Sequence, residues 1–152
     1  MQVMSAVLDP IAVGRSLVFV VSLAVLLVAH QVGDHVVQTD HQAAGKAGRG
    51  WPAAGAMAGH LATYHAFATV LLVTVFALLR LPLGLLAVIA GLAFSAVTHA
   101  LLDRRWPVRR LLRATRAAKF AETNTPVCGM HAADQALHYL ALLISAALIA
   151  AL

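Results

Sequence analysis

Three histidine–aspartate pairs in this chain share one spacing. His30 and Asp34, His99 and Asp103, and Asp134 and His138 are each four residues apart. On an α-helix, positions i and i+4 lie about 40° apart, so each pair occupies one face of one helix. Gln38 continues the first stripe four residues on, and His60 with Tyr64 repeats the spacing with a phenol in place of the carboxylate. Imidazoles and carboxylates together form a nitrogen and oxygen donor set, which suits zinc, iron or manganese. His30, Asp34, His60, His99, Asp103, Asp134 and His138 are the candidate metal ligands. They suffice for one divalent ion with supporting partners, or for two ions. In a hydrolytic site such an ion lowers the pKa of a bound water and polarises a phosphoryl or acyl oxygen. A carboxylate left free of the ion then serves as general base. Asp34, Asp103 and Gln38 are therefore the candidate catalytic residues.

The elements that must position these groups are long apolar blocks. The chain has 152 residues, 61% hydrophobic and only 11% charged, where soluble domains carry about 25% charged residues. The blocks predict helices over about Val13–Gln38, Ala56–Leu79, Leu83–Leu102 and His131–Leu152. Each is long enough to cross a hydrocarbon core of ~30 Å, and none shows the alternation of barrel strands. The expected fold is all-α: an integral membrane four-helix bundle forming one domain over residues 1–152. Asp9 and Pro10 precede the first apolar run and no small-residue cleavage site follows it, so that run reads as a retained helix and not a removed signal.

Topology gives the spacing its force. His30 and Asp34 fall near the end of the first span, His60 near the start of the second, His99 and Asp103 at the end of the third, and Asp134 and His138 at the start of the fourth. In an up-down-up-down bundle these four ends lie on one side. The polar groups are thereby expected in a single layer.

Charge sets the expected orientation. Seven of the 11 Lys and Arg residues lie between Arg104 and Lys119. With Lys46 and Arg49 they place both inter-span loops of that side in the cytoplasm and both termini outside, since only Arg15 and Arg80 lie on the other side. The run VRRLLRATRAAKF predicts a basic amphipathic helix in the interface between the third and fourth spans. Its expected partners are membrane lipids, anionic headgroups above all, and not nucleic acid. An oligomer is compatible with this reading.

Other polar residues carry less. His35 points away from the His30–Asp34 stripe, and His41 lies past the end of the first span. His65 sits about 140° round the helix from His60 and so does not share its centre. Cys128, the sole cysteine, stands three residues before His131 without a second such pair. It reads as a plain thiol. Ser95 and Thr98 beside His99 lack the glycine context of a nucleophile.

The runs AHQVGDHVVQTD, HLATY, THALLD and DQALH, in this order from His30 to His138, resemble an uncharacterised bacterial membrane family, the domain of unknown function numbered 3307. The resemblance implies functional polar positions at His30, Asp34, Gln38, Asp40, His60, His99, Asp103, Asp134, Gln135 and His138, and a multi-pass protein of the bacterial inner membrane. The chain is also distantly similar to the membrane-bound metal-dependent hydrolases of bacteria, which place His and Asp at helix ends. That likeness implies a hydrolase acting on phosphoesters or lipids. The competing expectation is a non-enzymatic membrane bundle, an ion-handling or accessory subunit held by His–Asp hydrogen bonds. Such intramembrane polar contacts contribute only about 0.6–2 kcal/mol each.

Overall fold

A computed structural model describes residues 9–152. The start of the expected single domain, residues 1–8, lies outside the described residues, as does the segment before Asp9 in the signal reading. The described chain folds into helices: α1 (Pro10–Val32), α2 (Asp40–Gly45), α3 (Gly50–Leu79), α4 (Leu85–Leu102), α5 (Trp106–Ala114), α6 (Ala118–Glu122) and α7 (Gly129–Ala151). Four are long and apolar enough to cross a membrane: α1 with the turn that extends it to Val37, α3, α4 and α7. The four expected spans are all present, with shifted ends.

The shifts have local causes. Helix α1 starts at Pro10, before the expected Val13, because the Asp9 carboxylate accepts the Ile11 backbone N–H at 3.0 Å and Pro10 occupies a first-turn position whose N–H is not needed. At its other end the α ladder widens into a π-helical turn over Gly33–Val37, closed by the Gln38 N–H donating to the Gly33 carbonyl at 3.0 Å. The inter-span loop that follows, rich in glycine (Gly45, Gly48 and Gly50), contains a short helix. Thr39 and Gln42 cap α2 reciprocally, each side chain accepting the other's backbone N–H at 3.3 and 3.0 Å, a capping box. Helix α3 begins at Gly50 and not near Ala56, and ends at Arg80, whose left-handed backbone (φ 54°) stops it ahead of Pro82.

The basic amphipathic helix expected over residues 108–120 is broken. Arg116 takes a left-handed φ of 61°, so the segment divides into α5 and α6. Arg105, at the N-cap of α5, is also left-handed (φ 62°). Trp106, Leu111 and Phe120 remain exposed on this hairpin, among arginines.

Helix α7 packs against both α1 and α4, and α1 also packs on α3. Gly91 permits the α4–α7 approach: a Cβ there would stand 2.5 Å from Ile149 Cγ1 and 2.9 Å from the Ser145 carbonyl. The apolar core gathers Val18, Val25 and Leu26 from α1, Leu72 and Phe76 from α3, Val88 from α4, and Leu142, Ala146 and Ile149 from α7. These positions come from the body of α1, the start of α4 and the later parts of α3 and α7, so the core lies toward one end of the bundle. The opposite end is left for the polar layer. Outward-facing Val20, Val28, Val70, Leu86, Val97 and Leu140 are more than half exposed, giving the bundle an apolar exterior as well as an apolar core.

Candidate metal centre

Five elements build the site. The end of α1 brings His30 and Asp34, the residue after α2 brings Lys46, α3 brings His60 and Tyr64, the end of α4 brings His99 and Asp103, and the start of α7 brings Asp134, Gln135 and His138. The polar layer expected from topology is thus present, and His30, His60, His99, Asp103 and His138 are all buried.

At its centre four donor atoms converge. His60 Nε2 lies 3.0 Å from His99 Nε2, 3.2 Å from Asp34 Oδ1 and 3.3 Å from Asp103 Oδ2. His99 Nε2 lies 3.4 Å from Asp34 Oδ1 and 3.2 Å from Asp103 Oδ2. Yet Asp34 Oδ1 and Asp103 Oδ2 are buried with no partner in hydrogen-bond geometry. The nitrogens and oxygens approach one another without aligning on one another. Four N/O donors placed tetrahedrally at ~2.0–2.1 Å from one ion stand about 3.3–3.4 Å apart. The five separations given, 3.0–3.4 Å, lie close to that figure, and the donor set could hold a metal ion.

Burial opposes ionisation of Asp103. The close imidazole nitrogens of His60 and His99 and the positive charge of Lys46 outweigh it, holding the carboxyl well below the usual carboxylate range. Asp103 therefore carries the charge a ligand needs.

His138 stands beside this core. Its Nδ1–H donates to the Asp134 carbonyl at 2.9 Å, which fixes the tautomer and leaves a lone pair on Nε2. That atom is buried without a partner and lies 4.0 Å from Asp103 Oδ1. One donor atom each from Asp34, His99, Asp103 and His138 lies within 4.8 Å of the others. His60 makes shorter approaches to the carboxylates than His138 does, so the tighter set is Asp34, His60, His99 and Asp103.

His30 has both nitrogens engaged. Its Nε2–H donates to Gln135 Oε1 at 3.2 Å and its Nδ1 accepts from the Tyr64 hydroxyl at 3.3 Å, with Asp34 Oδ2 at 3.6 Å. Tyr64 reaches this position because Gly33 has no side chain: a Cβ there would meet the Tyr64 ring at 2.6 Å. The π-helical turn and its glycine thus seat Tyr64, and Tyr64 orients His30.

Asp134 and Gln38 line the opening. Asp134 Oδ1 and Gln38 Oε1 are buried without a donor, and both residues face a cavity of about 210 Å³ whose lining includes Asp34 and Asp103. Gln38 Nε2 donates to the Asp34 carbonyl at 3.1 Å.

Lys46 was not among the expected site residues. Its Nζ lies 2.9 Å from Asp103 Oδ2 and 3.2 Å from His60 Nε2, and the residue is buried. Its position in a Gly-rich stretch hid it, although the Thr39–Gln42 capping box was a signal that a helix leads the chain inward there.

The remaining histidines lie outside the central set. His65 donates from Nδ1 to the Leu61 carbonyl at 2.9 Å, and its Nε2 contacts Ser95 Oγ at 3.3 Å. His35 and His131 are exposed and meet edge to face, with ring centroids 5.9 Å apart. His41 and Asp40 are exposed on α2, and Cys128 is exposed ahead of α7.

No curated protein and no solved structure matches the chain. The model of the family described as Protein of unknown function (DUF3307) matches residues 22–152, a stretch that contains every residue of the polar layer, and the chain belongs to that family.

Proposed function

We propose that this protein is a metal-dependent hydrolase embedded in the cell membrane, with its site at the cytoplasmic face. The observation that carries the proposal is the convergence of His60 Nε2, His99 Nε2, Asp34 Oδ1 and Asp103 Oδ2 at separations suited to one ion. His138 Nε2, with its free lone pair, is the donor available to expand the coordination or to begin a second site. Zinc fits the donor set and spacing; iron and manganese accept the same donors.

An ion bound there supplies a water of lowered pKa and polarises the bond to be cleaved. Asp34 and Asp103 would hold the ion, which leaves Asp134, lining the same cavity, as the carboxylate for proton transfer. Asp134 would take one proton from the attacking water as the ester bond breaks. The proton then passes to the departing oxygen. His30 is held by Tyr64 and Gln135 beside Asp34.

The membrane setting rests on the four long apolar helices and the apolar exterior of the bundle. Basic residues concentrate at the end that carries the site, which supports placing that end in the cytoplasm and both termini outside. The α5–α6 hairpin, with exposed Trp106, Leu111 and Phe120 among its arginines, suits the anionic headgroup layer.

The test is turnover of a panel of chromogenic phosphate and carboxylate esters by the chain in nanodiscs. Chelator-sensitive hydrolysis is expected, and Asp134→Asn is expected to lower it by ~100-fold or more with metal content unchanged. Absence of chelator-sensitive turnover across the panel would contradict the hydrolase reading.

A second reading is favoured by one contact. The 2.9 Å approach of Lys46 Nζ to Asp103 Oδ2 lets an ammonium neutralise the layer without any ion, as a purely structural bundle requires.

A further inference from the structure

Above the candidate metal centre the cavity of about 210 Å³ opens between α2, the α4–α5 junction and the start of α7. Its floor carries Asp34 and Asp103. Exposed Arg105, His35 and His131 stand around its mouth, and buried Lys46 and half-buried Asp134 line it as well. The two fixed cations come from different loops. Neighbouring Arg104 is committed, donating to the Gly48 carbonyl at 2.9 Å. The Arg105 side chain, in contrast, makes no hydrogen bond or ion pair among the described residues. A left-handed backbone (φ 62°), which non-glycine residues rarely adopt, sets its position at the mouth.

The charges change sign with occupancy of the floor. The floor carboxylates by themselves repel an anion, and Lys46 Nζ lies 2.9 Å from Asp103 Oδ2. A divalent ion would neutralise Asp34 and Asp103 and free the Lys46 ammonium, leaving two cationic side chains against Asp134 alone. The cavity would then present Lys46 and Arg105 over a neutralised floor. A neutral carboxylic ester does not use such an arrangement. A tetrahedral oxyanion with several charged oxygens does, since charge-assisted contacts from Lys and Arg are the strong form of hydrogen bond to phosphate. The volume is below the ~300–1,000 Å³ of pockets that engulf a whole drug-sized ligand, so the cavity takes a phosphoryl group and the atoms next to it.

We propose that this mouth is a phosphoryl-binding subsite in which Lys46 and Arg105 hold the non-bridging oxygens of a phosphoester over the metal centre. The proposal rests on the metal-dependent reading above and narrows it to phosphoesters. A lipid headgroup and a soluble phosphate ester present the same chemistry to it.

The probe is inorganic phosphate, titrated calorimetrically into the full chain in phosphatidylcholine nanodiscs, with zinc content measured on every sample. Wild-type protein loaded with zinc is expected to bind phosphate, and chelated protein is expected not to. Arg105→Ala is expected to weaken binding tenfold or more with zinc content unchanged, and Arg105→Lys to recover part of the loss. Displacement of phosphate by phosphatidic acid in the disc identifies a lipid headgroup as the source; displacement by glycerol 3-phosphate identifies a soluble ester. Either result supports the subsite. Zinc-loaded wild type that binds no phosphate, or Arg105→Ala that binds as tightly as wild type, overturns the subsite and leaves the metal centre standing. Wild type that retains no zinc overturns both.

Discussion

His99→Ala is expected to lower metal affinity by ~100-fold or more and to leave the purified protein without stoichiometric metal. His99 is the hub of the donor set: its Nε2 lies within 3.4 Å of His60 Nε2, Asp34 Oδ1 and Asp103 Oδ2. Removing a supporting partner of a ligand already costs about 10–100-fold in affinity, and removing a ligand costs more. His99→Gln, which fills much of the same volume, is expected to give the same loss, separating coordination from packing. His138→Ala serves as the contrast. Its free Nε2 comes no nearer than 4.0 Å to Asp103 Oδ1, so the first ion is expected to bind within about tenfold of wild type. Competition with a chromogenic zinc chelator measures all three variants. Equal affinity in His99→Ala and wild type would remove this residue from the centre.

Lys46→Met is expected to produce opposite effects with and without metal. Methionine keeps most of the apolar stem and removes the charge. In the metal-free protein the substitution leaves Asp103 buried and uncompensated, and breaking a buried pair in this way costs ~3–5 kcal/mol. In the metal-bound protein the same ammonium opposes a divalent ion a few ångströms away. Unit charges 4 Å apart interact by about 4 kcal/mol at an effective dielectric of ~20. Relief of even part of that repulsion tightens binding by roughly tenfold. Zinc is therefore expected to restore the thermal stability that Lys46→Met loses, and to bind the variant more tightly than wild type. Thermal unfolding in detergent with and without zinc reads both effects. A purely structural bundle would show the loss without the rescue.

The sequence carried the four spans and the polar layer for one reason. Long apolar blocks report spans directly, and up-down-up-down topology converts positions near alternate helix ends into a single depth. His30, Asp34, His60, His99, Asp103, Asp134 and His138 all fall at that end of the bundle. The division of labour among them was not legible. The roles of His30 and Tyr64 depend on the Tyr64 hydroxyl and Gln135 reaching across from other helices, and no spacing within one segment encodes that. The π-helical turn at Gly33–Val37 has no hydrophobic period of its own. Lys46 looked like a loop charge serving only topology, whereas α2 carries it inward to Asp103. The basic run reads as continuous because helical propensity persists through it; the left-handed turn at Arg116 divides it, and both halves pack against α7.

X-ray absorption spectroscopy at the zinc edge, on full-length protein purified in detergent and loaded with one equivalent of zinc, tests the centre most directly. The account predicts an ordered first shell of about four nitrogen and oxygen scatterers at ~2.0–2.1 Å, with the multiple-scattering signature of imidazole. A sulfur shell near ~2.3 Å, a six-oxygen hydration shell, or failure to retain the ion would contradict it.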